Sequence, residues 1–329
     1  MPGTDPAEAM RVVAGELPDF PYLPELPDRG PGADLTGRTT GLLIDMPAEV
    51  TLRGWRLADR PGRDLTRARS MLSHDLDVLE EVLDGYRGAL KVQLCGPWTL
   101  AATLELPHTM NMALSDPGAV ADLTTSLAEG AAAHVAELAK RVPGARLVVQ
   151  FDEPALTAVA EGAVPTASGL SRLAVVEEDA LRAGLAQVLA ATRRYTVVHS
   201  CGTAVPFGII RAAGADAVSF DLSQLRRGEE DGVGEVAEAG MGLLIGAIPA
   251  VPPEAEGGSE SNGAQDTTER VIRLYQRLGL PLATCAGQAV ITPACGLAGA
   301  SPAQARAALT RCREAASLLP ELIEETGGE

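Results

Sequence analysis

Two hydrophobic rhythms alternate along the chain. Short apolar runs at Leu90–Pro97, Arg146–Pro154, Thr196–Gly202, Ala217–Ser223, Gly242–Ile248 and Gln288–Thr292 are bounded by turn residues and read as strands. Between them lie longer stretches whose apolar positions fall three and four apart. These predict helices over Leu65–Tyr86, Ser115–Arg141, Glu177–Arg194, Thr203–Ala213, Val233–Ala239 and Asp266–Leu278, with a last helix from Pro302 towards Glu324. Asp266 to Glu269 and Ser301 to Gln304 have the pattern of capping boxes, the second with proline at the first helical position. A short helix is also expected over Pro6–Leu17, behind Thr4 and Asp5.

Strands alternating with helices imply right-handed βαβ units on a parallel sheet. The run from Phe20 to Pro27 is too proline-rich for a central strand and reads as a short one that breaks into a loop over Glu25–Arg29. Counting it, the pattern holds seven strands, whereas a closed (β/α)8 TIM barrel needs eight. The first strand is therefore expected to be incomplete or irregular, either preceding Met1 or lying within the first 65 residues. An open doubly wound sheet is the alternative, but no glycine-rich dinucleotide turn follows an early strand. The α/β barrel is preferred, with 1–329 as a single domain. Residues 1–65 form its irregular amino-terminal part, and 250–265, rich in Pro, Gly, Ser and Glu, reads as a mobile loop.

Composition narrows the function classes. A hydrophobic content of 46% fills a large core, but two Trp, four Tyr and four Phe make that core aliphatic. The net charge of -17 opposes binding to nucleic-acid phosphates or anionic lipid. No apolar run reaches membrane-spanning length and the start lacks a signal-peptide pattern, so a cytoplasmic protein is expected, with no nucleic-acid or membrane partner. Five widely spaced cysteines are an odd set and read as reduced thiols.

Candidate chemistry gathers at the strand ends. His199 and Cys201, two apart at the end of a β-branched run, project from one face of a strand. Asp221 ends a second run and Cys295 follows a third. One imidazole, two sulfurs and a carboxylate suit zinc. Asp152 and Glu153, fixed by Pro154, also stand at a strand end, as does Glu25, and in a barrel that rim carries the active site, so all three are expected to bind substrate. Cys95, Cys285 and Cys312 read as small buried hydrophobes, and His74, His108 and His134 as surface or capping residues. Trp98 either stacks on a flat ligand or packs under the rim.

Val149–Ala155, His199–Cys201, Asp216–Asp221, Pro293–Leu297 and, more weakly, Cys95–Thr99 together resemble the catalytic barrel of cobalamin-independent methionine synthase, within the uroporphyrinogen decarboxylase-like superfamily, in a short single-barrel form. The resemblance implies zinc held by His199, Cys201, Asp221 and Cys295, with Asp152 and Glu25 on the amino group of the substrate. It implies methyl transfer to a small thiol, homocysteine giving methionine, from methyl-folate or a corrinoid carrier protein. Asp221 stands where the family has glutamate and, one methylene shorter, is the ligand expected to leave. The Gly-Ser pair that grips the carboxylate in the family has no counterpart after Met1, and residues 27–64 fit the family pattern poorly. The alternatives are another thiol such as coenzyme M, or a non-catalytic zinc- or ligand-binding barrel.

Overall fold

A computed structural model describes residues 1–251 and 263–327. Two short antiparallel strands, β1 (Ala48–Thr51) and β2 (Gly54–Leu57), form a hairpin. Six strands then pair in parallel in chain order: β3 (Ala89–Cys95), β4 (Arg146–Asp152), β5 (Tyr195–Ser200), β6 (Ala217–Asp221), β7 (Gly242–Ile248) and β8 (Ala289–Pro293). The sheet curls as a half-barrel of the TIM-barrel kind. On β4, Leu147, Val149 and Phe151 face the surrounding helices and are buried in the main core. The alternate residues face inward. Val148 joins Val197, Ala217, Leu244 and Val290 in a small aliphatic floor. Above that floor the inward positions turn polar, which is where a ligand can be held.

The Phe20 run makes a single parallel bridge, Tyr22 to Lys91, with Leu23 N donating to the Lys91 carbonyl and Lys91 N to that of Pro21. Pro21 and Pro24 lack the N–H groups that a longer ladder requires. Residues 30–64 are more ordered than their composition suggests. They hold the helix Leu35–Thr40, capped by Asp34, and the β1–β2 hairpin. Helices Pro97–Thr103 and Leu282–Gln288 are also additions to the expected set. Ser301 and Gln304 form the expected reciprocal cap, Gln304 Oε1 accepting from Ser301 N at 2.9 Å and Ser301 Oγ from Gln304 N at 3.3 Å. Asp266–Glu269 is not a cap: the helix begins at Ala264 and the box lies inside it. The expected mobile loop at 250–265 falls for the most part outside the described residues. Among the described residues no helix is long and apolar enough to cross a membrane.

One buried charge cluster sets the segment that carries Glu25. Asp75, on the helix Arg63–Val82, accepts two hydrogen bonds from Arg29, each 2.7 Å, and lies 3.6 Å from Arg38. Arg38 in turn donates to the Pro24 carbonyl. Asp75→Ala leaves two guanidinium groups in the interior without a counter-charge, and is expected to cost about 3–5 kcal/mol in urea denaturation. A loss below about 1 kcal/mol would assign the cluster no structural weight.

Candidate active site

The fold brings His199, Cys201 and Cys295 together. His199 is in register with Asp152 on β4 and Ser219 on β6. Its Nδ1 meets the Ser219 hydroxyl at 2.9 Å, which holds the ring and leaves Nε2 for a ligand. Cys201 follows β5, and Cys295 follows β8. Their sulfurs are 3.6 Å apart, and the ligand atoms of all three residues lie within 4.8 Å of one another. Two zinc–sulfur bonds of about 2.3 Å at a tetrahedral angle put their sulfurs roughly 3.8 Å apart. The observed separation is close to that edge, so the donor set fits zinc in both chemistry and spacing. Contacts from the Cys201 thiol and then His199 hold Cys295 well below the ordinary thiol range. The pair therefore carries a negative charge readily, as a cation site needs.

Asp221 stays outside this group. Its Oδ1 accepts from the backbone N and the hydroxyl of Ser223, at 2.8 and 2.7 Å, closing its own turn. Aspartate is prone to such local turns, and the shorter side chain favours one here. The expected tetrad is thus a triad with an aspartate at its edge.

The triad opens onto a cavity of about 690 Å³. Asp152 and Glu25 both line it, as expected, along with Lys91, Gln93, Gln150 and Thr292. Gln150 links Lys91 to Asp152: its Oε1 accepts from Lys91 Nζ at 3.1 Å, and its Nε2 donates to Asp152 Oδ1 at 2.7 Å. Burial raises the Asp152 carboxyl above its usual value, against the opposing pull of His199 and Lys91. Burial pushes Glu25 up to about 7, partly offset by Arg38. Three residues that line this cavity each bury a side-chain oxygen without a hydrogen-bond partner: Glu25 Oε1, Gln93 Oε1 and Thr292 Oγ1. Sealed polar atoms of that kind normally find partners, so their clustering marks a place for a polar ligand.

Glu153 is turned away from the cavity, contrary to its expected role at the substrate. It is fully buried, and it accepts from Trp98 N, Thr99 N and Thr99 Oγ1 at 2.9, 2.7 and 2.7 Å, capping the helix Pro97–Thr103. An added Cβ at Gly96 would collide with this carboxylate, which explains glycine there. Trp98 packs under the rim with Nε1 bonded to the Leu181 carbonyl, so it does not stack on a ligand. His134, expected at the surface, is buried on the long helix Pro117–Arg141, and burial lowers it to about 3. Cys95, Cys285 and Cys312 are buried as expected.

The sequence pattern did contain a signal for the cavity residues that were not singled out. Lys91 and Gln93, like Gln150 and Asp152, alternate with apolar residues in strands that a closed barrel buries on both faces. Polar side chains at every second position of such a strand indicate a polar interior.

Comparison with known proteins bears on the family and the fold. A sequence model described as the catalytic domain of cobalamin-independent synthase matches residues 87–318. Among solved structures, the chain is similar to a B12-independent methionine synthase from Shewanella sp. W3-18-1 in complex with selenomethionine. The TM-score is 0.59 at 14% identity, covering 97% of this chain and 89% of that one, a likeness of fold. A search of curated proteins finds no match.

Proposed function

Because the chain belongs to the cobalamin-independent synthase family by its match to the catalytic domain, we propose that it transfers a methyl group to the thiol of homocysteine, giving methionine, with zinc held by His199, Cys201 and Cys295. The observation that carries this proposal is the pair of sulfurs 3.6 Å apart beside His199, at a cavity lined by Asp152 and Glu25 among others. Zinc bound there would hold the substrate sulfur as a thiolate at neutral pH, without a general base. Three protein donors would leave such an ion open to that sulfur. Asp152 and Glu25 would hold the ammonium. Positioning the thiol against an incoming methyl group is then the main contribution of the chain.

The charge of the cavity bears on the alternatives. Coenzyme M carries a sulfonate and no ammonium, so it would leave Asp152 and Glu25 without a cation to bind. A purely structural zinc site would be closed by four protein ligands, whereas among the described residues three converge. The family supports a methylated folate as donor over a corrinoid carrier. Five free thiols suit a reducing compartment, and the cytoplasm is the proposed location. The test measures zinc and methyl transfer to homocysteine on the same preparation, with methyl-folate and methyl-corrinoid donors. A protein that stays inactive with both donors after zinc loading would refute the proposal.

Two further outcomes are expected. Ser219→Ala removes the group that orients the His199 ring, and should lower zinc affinity or turnover about 10- to 100-fold, read by competition with a chelator. L-Methionine, whose sulfur does not titrate, should bind more tightly as pH rises towards about 7 and level off above it. Glu25, raised to about 7, is neutral below that pH, while an α-ammonium stays protonated throughout and favours the ionised carboxylate. The same shift acts on folding with the opposite sign. Unfolded Glu25 ionises near 4.5, so the ligand-free protein loses stability as pH climbs from there to about 7. Binding curves that are flat across this range would remove Glu25 from the ammonium site.

A further inference from the structure

Methyl transfer as described leaves the buried amide oxygen of Gln93 without a task. Gln93 lies on β3, between the Tyr22 segment that leads to Glu25 and β4, which ends in Asp152. Its Nε2 donates to the Leu23 carbonyl at 2.9 Å. A carbonyl only accepts, so the nitrogen must face Leu23 and Oε1 must face away from it. That oxygen is sealed from solvent and has no donor, as is Glu25 Oε1. The glutamine on the next strand behaves differently. Gln150 is occupied at both ends, by Lys91 and by Asp152, and serves to hold Asp152 in place. Among the described residues, no hydrogen bond engages Asp152 Oδ2. Three acceptor-bearing residues from three neighbouring segments thus line one cavity, Glu25, Gln93 and Asp152, and each has one side-chain oxygen without a donor. An alkylammonium has three N–H donors.

Building on the amino-acid substrate proposed above, we propose that Gln93 is the third acceptor for the substrate ammonium, which makes the site selective for an unsubstituted primary α-amine. Two carboxylates alone would accept a secondary amine with both of its N–H groups satisfied. A third acceptor penalises any ligand that lacks the third N–H, because the amide oxygen is then left buried and unpaired.

Calorimetry on the zinc-loaded protein tests this with L-methionine, N-methyl-L-methionine and the des-amino analogue 4-(methylthio)butanoate. In the unaltered protein N-methylation should weaken binding about tenfold or more, the range for a hydrogen bond to a charged group. In Gln93→Met, L-methionine should weaken by a similar factor, the des-amino analogue should bind unchanged, and the penalty for N-methylation should largely vanish. Equal weakening of methionine and the des-amino analogue would show a packing role and overturn the assignment, as would a variant that binds methionine normally. Should Gln93→Met not fold, the unaltered protein still decides: indifference to N-methylation, with methionine strongly preferred over the des-amino analogue, overturns the role of Gln93 and leaves the amino-acid substrate standing. Failure to bind either methionine or homocysteine refutes that substrate, and Gln93 with it.

Discussion

Cys295→Ser is expected to give a folded protein that holds no zinc and transfers methyl groups roughly a thousandfold more slowly. Cys295 follows β8 and touches the rest of the site through its sulfur, 3.6 Å from Cys201, so the fold does not depend on it. Serine keeps the size but supplies a hydroxyl that stays protonated at neutral pH and is a poor partner for zinc. With two donors left, an ordinary chelator should strip the metal. The size of the effect has two parts. A free thiol of pKa about 8.5 is only about 3% ionised at pH 7, a loss of roughly thirtyfold in nucleophile. The sulfur also loses its anchor, and the lost positioning accounts for the rest. Zinc content per chain and initial rates on one preparation check both parts together. Full activity with no zinc bound would place the chemistry elsewhere in the molecule.

His199, Cys201 and Cys295 were legible in the sequence because their geometry is set by regular structure. β5 places His199 and the chain leaving it carries Cys201, and parallel strands in a barrel all end on one rim. Cys201 and Cys295, 94 positions apart, therefore meet once β5 and β8 are correctly assigned.

The parts that were not legible depend on local competition that a pattern does not reveal. Asp221 sits at the right strand end, but its carboxylate closes a turn with Ser223, a choice made by one methylene of reach. Glu153 follows Asp152 directly, yet neighbouring residues at the end of a strand face opposite ways, and this one meets the free N–H groups of Trp98 and Thr99. The Asp266–Glu269 box failed because the helix had already begun at Ala264. The irregular start is explained by Pro21 and Pro24, which limit the Phe20 run to one bridge.

Asp152→Asn is expected to lower kcat/KM for homocysteine roughly a hundredfold, about 3 kcal/mol, almost entirely through KM. The substitution keeps the size of the side chain and removes its charge, so the ammonium loses an ionic partner inside the cavity. Zinc content should be unchanged, which separates this variant from Cys295→Ser. The neighbouring carboxylate supplies the contrast. Glu153→Gln leaves the cavity untouched but weakens the cap on the helix Pro97–Thr103, so its effect should fall on stability and not on KM. Adjacent acidic residues would then separate cleanly, one by substrate binding and the other by denaturation. If Asp152→Asn instead lowers kcat with KM unchanged, the carboxylate acts on the reacting sulfur and not on the ammonium, and the orientation proposed for the substrate must be reversed.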